Sequence, residues 1–289
     1  MASRYNHTEP DSEYSNVPLY HLEEAISRSI PSFGHQERLD PDMDLDKVTD
    51  RSIAKSSGDF FWSLYFDPPW LIRLMYSGFL PICTQLGEGL YCLLPKLHMK
   101  RTVLSLDEFH VSKKVRKHAH KYVLSISKDF EAVVEGVHEQ HSDSCWLYHP
   151  LENALVDSAT GRYTLPASCP VSVVSVELRR AEDHRLVAGE IGYTVGSIYT
   201  SMTGFYRDDG SGSVQLAALG GLLRRLNFTL WDLGMMMNYK KNFGCREIPR
   251  QEFLTQLRAS RDECRTARSL VNCRDFLSVT ELIRDLNTS

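Results

Sequence analysis

The chain has 289 residues, of which 42% are hydrophobic and 24% charged, an ordinary globular composition whose length suits one large domain or two small ones. No stretch approaches the ~20 apolar residues of a membrane helix, and the longest, Trp70 to Cys83, is broken by Arg73 and Gly78. The polar start MASRYNHTEPDSEYS lacks an apolar signal core, and the seven cysteines are odd in number without a C-x-x-C pair, so secretion, a disulfide framework and a zinc site are all disfavoured and a cytoplasmic location with reduced thiols is expected.

Residues 1 to about 57 read as an acidic leader, with 12 acidic against 6 basic side chains over residues 1–60. Helical patterning is confined to Tyr20 to Ile30, and the rest is expected to be loosely ordered. Asp67-Pro68-Pro69 stops any helix, and Trp70 to Tyr76 starts a new one with Pro69 in its first turn and Gly78 placed to end it.

The net charge of −4 conceals a basic stretch at residues 95–121, where Lys96, Lys100, Arg101, Lys113, Lys114, Arg116, Lys117 and Lys121 face only Asp107 and Glu108. A local basic patch on an acidic protein is what a polyanion requires, because phosphate attraction acts over about a Debye length. A solvated helix face is the plainer reading of the same charges. Residues 104–121 should form a strand or turn and then a basic helix. Tyr122 to Ile126 is a short strand, and Asp129 to His138 has helical spacing at Phe130, Val133, Val134 and Val137.

In the second half, Val171 to Leu178 alternates and is a strand. Leu186 to Tyr193 and Ser197 to Thr203 are two more, with Val195-Gly196 as the tight turn. A Gly/Ser loop, Asp208 to Ser213, precedes a largely apolar helix, Val214 to Leu226. Phe228 to Leu233 is a strand, and Pro249 opens a helix to Leu257. Such a meander, loop, buried helix and strand predicts an α/β acyltransferase core of the N-acetyltransferase-like (GNAT) kind. It carries a smaller N-terminal α/β region and the leader. At the loop-to-helix junction, free N–H groups can take a phosphate-bearing donor, or Ser211 or Ser213 merely caps the helix. The expected divisions are 1–57 (leader), 58–143 (N-terminal subdomain with the basic helix), 144–262 (acyltransferase-like core) and 263–289 (helical tail).

The segment Leu230 to Arg250, LWDLGMMMNYKKNFGCREIPR, resembles the closing block of the leucyl/phenylalanyl-tRNA–protein transferases, in which an Asp ends a strand and Glu-Ile-Pro-Arg closes the loop that follows. Trp70 to Ile82, Leu97 to Lys117, Ser144-Cys145-Trp146-Leu147 and Leu186 to Phe205 resemble further blocks of that family in the same order, so the likeness spans roughly residues 60–260.

The resemblance implies an aminoacyltransferase. It moves an amino acid from tRNA to the α-amino group of an acceptor protein, marking it for degradation. That reaction is aminolysis of an ester, needing a proton acceptor, oxyanion donors and a side-chain pocket, with no metal or cofactor. The implied partners are aminoacyl-tRNA and acceptor protein N-termini, with no membrane; a monomer is expected.

By resemblance Asp232 is the catalytic strand-end carboxylate, which orients and polarises the proton-accepting group, although a capping turn Asp is the alternative. Tyr199, Leu216, Leu219, Leu223 and Trp231 match the family's apolar side-chain pocket, though each also reads as core. Trp146 matches a tryptophan beside the terminal adenosine. Lys113, Lys114, Arg116 and Lys117 would contact the tRNA.

The chain departs from the family pattern at three places. Gly234 stands where a Gln attracts the proton, and Met202 stands where a Glu holds the aminoacyl α-amino group, leaving Asn238, Tyr239 or Thr203 as substitutes. Glu190 replaces an apolar pocket residue, which suggests either a preference shifted toward a basic amino acid or a side chain facing solvent. Two competing readings share the fold: an acyl-coenzyme A-dependent N-acyltransferase, disfavoured by Asp208 and Asp209, and a catalytically silent adaptor that binds tRNA or N-terminal degrons.

Overall fold

The computed structural model describes residues 36–55, 58–166, 168–273 and 275–286. The helical patterning at Tyr20 to Ile30 lies outside the described residues. The end of the acidic stretch is built into the body: helix α1, Leu45–Lys55, buries Leu45, Val48, Thr49 and Ser52. It is held there by Asp46, which accepts both Nη groups of Arg261 at 2.6 and 2.8 Å, and by Asp50, which pairs with Arg258. Composition alone places this helix in the leader; packing places it in the core.

Helix α2, Pro68–Tyr76, follows the sequence rules closely. The Asp67 side chain accepts the Trp70 N–H, Pro stands in the first turn, and Trp70, Leu71, Leu74 and Met75 are buried. Gly78, at φ +94°, ends it. A hairpin of β1, Cys83–Gly87, and β2, Leu90–Leu93, stands apart.

Eight strands of the described residues make one mixed sheet. They are β3 (Lys100–Leu104), β4 (Tyr122–Ile126), β5 (Val171–Arg180), β6 (Leu186–Val195), β7 (Ile198–Tyr206), β8 (Leu230–Asp232), β9 (Arg246–Pro249) and β10 (Leu277–Ser278), in the order β10-β4-β5-β6-β7-β8-β3-β9. All pairings are antiparallel except β7 with β8. The β6–β7 turn falls where expected. Gly196 takes φ +58°, and a Cβ there would meet the Ser260 carbonyl at 1.9 Å, so no other residue fits.

The basic helix is α3, Lys113–His118. It is followed by α4 (Phe130–His141), α5 (His149–Thr160), the crossover α6 (Ser211–Arg225), a single turn α7 (Asn238–Lys241), α8 (Arg250–Ser260), α9 (Cys264–Val271) and α10 (Val279–Asp285). The sheet has a core on each face. On one, α2, α4, α5 and α8 pack on Val103, Val173, Ile191, Tyr193, Ile198 and Leu230. On the other, α6 and α10 pack on Val174, Val176, Tyr199 and Trp231. The mixed α/β architecture is as expected, and one sheet runs through both of the subdomains anticipated at 58–143 and 144–262.

The terminal Glu-Ile-Pro-Arg has a structural purpose. Ile248 is buried, and the Arg250 guanidinium, 4% exposed, donates to the carbonyls of His98, Ser52, Gly58 and Leu97. One side chain thus satisfies carbonyls from three separate segments.

Candidate active site at the ends of β3, β7 and β8

The parallel pair β7–β8 runs Ile198↔Leu230, Tyr199↔Trp231 and Thr200↔Asp232, and then stops. Strand β7 continues along β6, where Ile191↔Thr203 and Gly192↔Ser201 leave Met202 as an extra, bulged residue. The two strands therefore diverge beyond Thr200 and Asp232. Carboxyl ends of parallel strands that part from each other are where open α/β sheets bind ligands.

Asp232 lies at that divergence but is sealed, with 0% exposure. Its Oδ2 accepts Arg101 Nη1 at 2.6 Å and the Thr200 hydroxyl at 3.2 Å, and its Oδ1 accepts the Gly234 N–H at 2.9 Å. Arg101, 1% exposed, also donates to the Gly78 carbonyl and lies over the Phe253 ring at 4.6 Å. A carboxylate closed to solvent and held by a guanidinium and two further donors touches no substrate and acts only through the groups it holds. Asp232 is thus no substrate contact, and the orienting role expected of it falls on Arg101, Thr200 and the Gly234 N–H. It is a positioning residue that locks β3 to β8 and fixes the first residue of the loop 233–245.

Glu190 is corrected too. It does not face solvent, being 5% exposed, and burial raises its carboxyl above the usual range. Oε1 accepts the hydroxyls of Tyr199 and Ser201, each at 2.8 Å, and Oε2 accepts Gln215 Nε2 at 2.9 Å. Trp231 Nε1 extends the network by donating to the Ser201 hydroxyl at 2.9 Å. A substrate guanidinium would have to displace internal donors to reach this carboxylate, so pairing with a basic amino acid has no opening here.

The hollow at this end is small, about 10 Å³, and apolar. Leu104 from β3, Phe109, Leu216 from α6, Trp231, Leu233, Phe243, Cys245 and the stem of Lys240 line it. Phe109 anchors the wall, 5.5 Å from the Phe243 ring and 6.0 Å edge-on from Trp231. Of the five expected pocket residues, Leu216 and Trp231 reach the cleft. Tyr199, Leu219 and Leu223 do not line it and are core, and Trp231, though it lines the hollow, is as fully buried as they are. Sequence reading missed Leu104, Phe109, Leu233 and Phe243. Phe109 lies inside a block that resembles the family, and this was the one signal that could have found it.

Charge gathers around the loop. Lys240 is buried, with Nζ donating to the carbonyls of Leu233 at 2.6 Å and Met235 at 2.7 Å. Burial lowers its pKa against the opposing pull of Asp232, Cys245 and Glu190. Burial likewise pushes the Cys245 thiol up to about 11. Gly234 takes φ +69°, a conformation that penalises any side chain. Tyr239 is exposed, Met202 is half-buried, and Thr203 Oγ1 reaches only His141 Nε2, at 3.4 Å. Trp146 is half-buried against the core on the α4/α5 face of the sheet, whereas the apolar residues of the hollow belong to the core on the α6 face.

The basic helix lies at the same end. It begins four residues after Phe109, buries only Val115, and presents Lys113, Lys114, Arg116 and Lys117 to solvent. Lys114 Nζ stands 3.5 Å from Asp209 in the loop that heads α6. Asp208 of that loop is held by Arg180 at 2.9 Å, so two carboxylates stand where a coenzyme A pyrophosphate would enter. Gly210 precedes the helix, and Ser211, which donates to the carbonyls of Val187 and Asp208, does not cap it.

Replacing Lys113, Lys114, Arg116 and Lys117 together by Ala is expected to weaken tRNA binding and flatten its dependence on salt, by close to one in log–log slope for each phosphate no longer neutralised. Filter binding between about 50 and 200 mM salt reads this; an unchanged slope removes the helix from the interface.

Among the described residues no group of His, Cys, Asp and Glu has the arrangement of a metal site, and no helix is long and apolar enough to cross a membrane. Residues 103–258 match the leucyl/phenylalanyl-tRNA protein transferase family. A protein of that name from Dinoroseobacter shibae is 28% identical over 196 residues, covering 67% of this chain and 81% of its own length. Another from Zymomonas mobilis is 26% identical over 199 residues, covering 67% and 69%. Among solved structures, the C-terminal domain of a putative lysylphosphatidylglycerol synthetase from Agrobacterium fabrum aligns with a TM-score of 0.35 at 12% identity, covering 85% of this chain and 70% of that one.

Proposed function

This chain belongs to the leucyl/phenylalanyl-tRNA protein transferase family, and from that premise we infer how its site is used. It is an aminoacyltransferase, moving an amino acid from tRNA to the N-terminus of a protein. We read the core as acetyltransferase-like. The support is the β5–β6–β7 meander, the α6 crossover and the parallel β8, which parts from β7 after Thr200 and Asp232.

The observation that carries the reading of the site is the apolar hollow of Leu104, Phe109, Leu216, Trp231, Leu233 and Phe243, with the exposed lysines of α3 beginning four residues after Phe109. The esterified amino acid lays its side chain between these apolar residues, which must part to admit it, since the hollow holds only about 10 Å³. The tRNA acceptor stem lies along α3. An apolar wall favours Leu or Phe, since a charged side chain loses its hydration there without a partner. Arg101 and Asp232 hold the strand ends and the loop in register and do not touch substrate. The carboxylates of Asp208 and Asp209 at the head of α6 disfavour the coenzyme A alternative.

Transfer assays with leucyl-, phenylalanyl-, lysyl- and arginyl-tRNA on a peptide acceptor test this. Leucine or phenylalanine should transfer at least about tenfold faster than the basic pair, a selectivity worth about 1.4 kcal/mol. Faster transfer of lysine or arginine would mean that the side chain enters elsewhere. Binding of tRNA without transfer would favour the adaptor.

A further inference from the structure

Aminolysis of an ester needs a group that accepts the proton lost by the attacking nitrogen. Most titratable groups around the ends of β3 and β8 are committed elsewhere. Asp232 is saturated by Arg101, Thr200 and the Gly234 N–H. Glu190 lies on the α6 face with three internal donors. Lys240 Nζ is tied to two carbonyls. His98 is 3% exposed, and burial, with Arg101, Lys96, Arg250 and Lys240 around it, holds its pKa down to about 2, too weak a base to compete for a proton.

Lys96 differs. Its backbone is fixed by paired hydrogen bonds with Leu80, and the residue is 8% exposed. Its ammonium lies 3.3 Å from the Met235 sulfur and 4.7 Å from the Phe60 ring centroid. No oxygen acceptor or carboxylate lies within bonding distance of Nζ among the described residues. Met235 is exposed and follows Gly234 directly, so Nζ sits just beneath the surface of the loop that Asp232 positions.

The Phe60 ring favours the ammonium form of Lys96, and no oxygen partner among the described residues adds to that. Burial lowers its pKa first of all; Arg101 adds to the effect and Asp59 opposes it. His98 is a further titratable neighbour and brings no negative charge to Nζ.

We propose that Lys96 is the proton acceptor and donor of the transfer reaction, in contact with the attacking α-amino nitrogen at the rim of the loop. The assignment rests on the reading of the site above. The neutral α-amine attacks the ester carbonyl carbon and forms the C–N bond. The nitrogen of the adduct gives its extra proton to Lys96 Nζ. As the C–O bond to the ribose breaks, Nζ passes that proton to the leaving oxygen. Amide and alcohol are released, Lys96 is neutral again, and no proton is left over. Gly234 offers no side chain for this task, and its φ of +69° disfavours one.

The test uses the full chain with aminoacylated tRNA and a peptide acceptor. Lys96→Arg imposes a permanent cation that is no base at neutral pH, and Lys96→Met keeps the buried stem. Both should lose ~10²–10⁴-fold in kcat, with aminoacyl-tRNA Kd and Tm unchanged. The wild-type pH–rate profile should rise through a group below the ordinary lysine value of 10.5, and that limb should vanish in Lys96→Arg. Methylamine should restore part of the turnover of Lys96→Ala in proportion to its free base.

Turnover of Lys96→Arg within about threefold of wild type would overturn the assignment, since general acid–base catalysis is worth far more. So would a loss that tracks weakened tRNA binding, or absence of rescue by the amine. Absence of Leu or Phe transfer by the wild-type chain would instead overturn the reading of the site itself.

Discussion

Replacement of Asp232 by Ala should unfold the protein's functional end before it reports on chemistry. The variant leaves the Arg101 guanidinium, 1% exposed, without its carboxylate, and strips the Thr200 hydroxyl and the Gly234 N–H of their acceptor. Removing one partner of a buried ion pair costs about 3–5 kcal/mol, a large share of a typical domain's roughly 5–15 kcal/mol. Urea unfolding should show that loss as a lower midpoint, with transfer activity lost in parallel. The double variant Asp232→Ala with Arg101→Met should recover stability, because the stranded charge is gone. If Asp232→Ala keeps wild-type stability and loses only turnover, Asp232 is chemical and the positioning role is wrong.

The second large effect concerns Glu190. Glu190→Met, which restores an apolar residue, leaves the Tyr199 and Ser201 hydroxyls and the Gln215 amide without an acceptor in the core. At about 1–3 kcal/mol per stranded buried group, a destabilisation of several kcal/mol is expected. Glu190→Gln should behave in the opposite way, because its amide oxygen still accepts hydroxyl protons and Gln215 can turn its own oxygen inward.

The pH dependence has a definite sign. Burial raises the Glu190 carboxyl above its ordinary 4.5, so between 4.5 and the raised value the folded state binds the proton more tightly than the unfolded state. Wild-type stability therefore carries a contribution that is full below 4.5 and lost as pH climbs through the folded value. Glu190→Gln lacks that contribution and should gain on wild type as pH rises from about 4 to about 8 in thermal melts. Parallel curves would mean that Glu190 does not titrate in this range.

These two sites also show what a sequence can and cannot disclose here. Strand Tyr122–Ile126 and the β6–β7 turn at Gly196 were legible, because alternation and a glycine at a tight turn are local signals. Helix α2 was legible from Asp67 and the prolines for the same reason. Helix α1 was not, because its buried stripe is only Leu45, Val48, Thr49 and Ser52 in an acidic stretch, and what orders it is Arg258 and Arg261, about two hundred residues away. Strand β9 was missed because it is four residues long with a single buried side chain, Ile248.

The roles at the site were obscured by the same kind of distance. Asp232 was found as a strand-end carboxylate, but its function depends on Arg101, 131 residues earlier. Glu190 was identified as out of place in an apolar pocket, but Gln215, 25 residues on, supplies the donor that makes it tolerable. The exposed face of α3 was legible, since its basic residues surround a single apolar Val115. Lys96 passed as one more charge in that basic stretch, because its burial against Phe60 and Met235 is purely tertiary.

The most direct test of the whole account is a single-turnover transfer measurement. The purified chain is mixed with phenylalanyl-tRNA and a peptide bearing a free N-terminus, and the peptide is weighed by mass spectrometry. The account predicts a peptide heavier by one phenylalanyl residue, formed in step with deacylation of the tRNA, and no such product when an acetylated peptide replaces it. Tight tRNA binding with the free peptide left unmodified would contradict it.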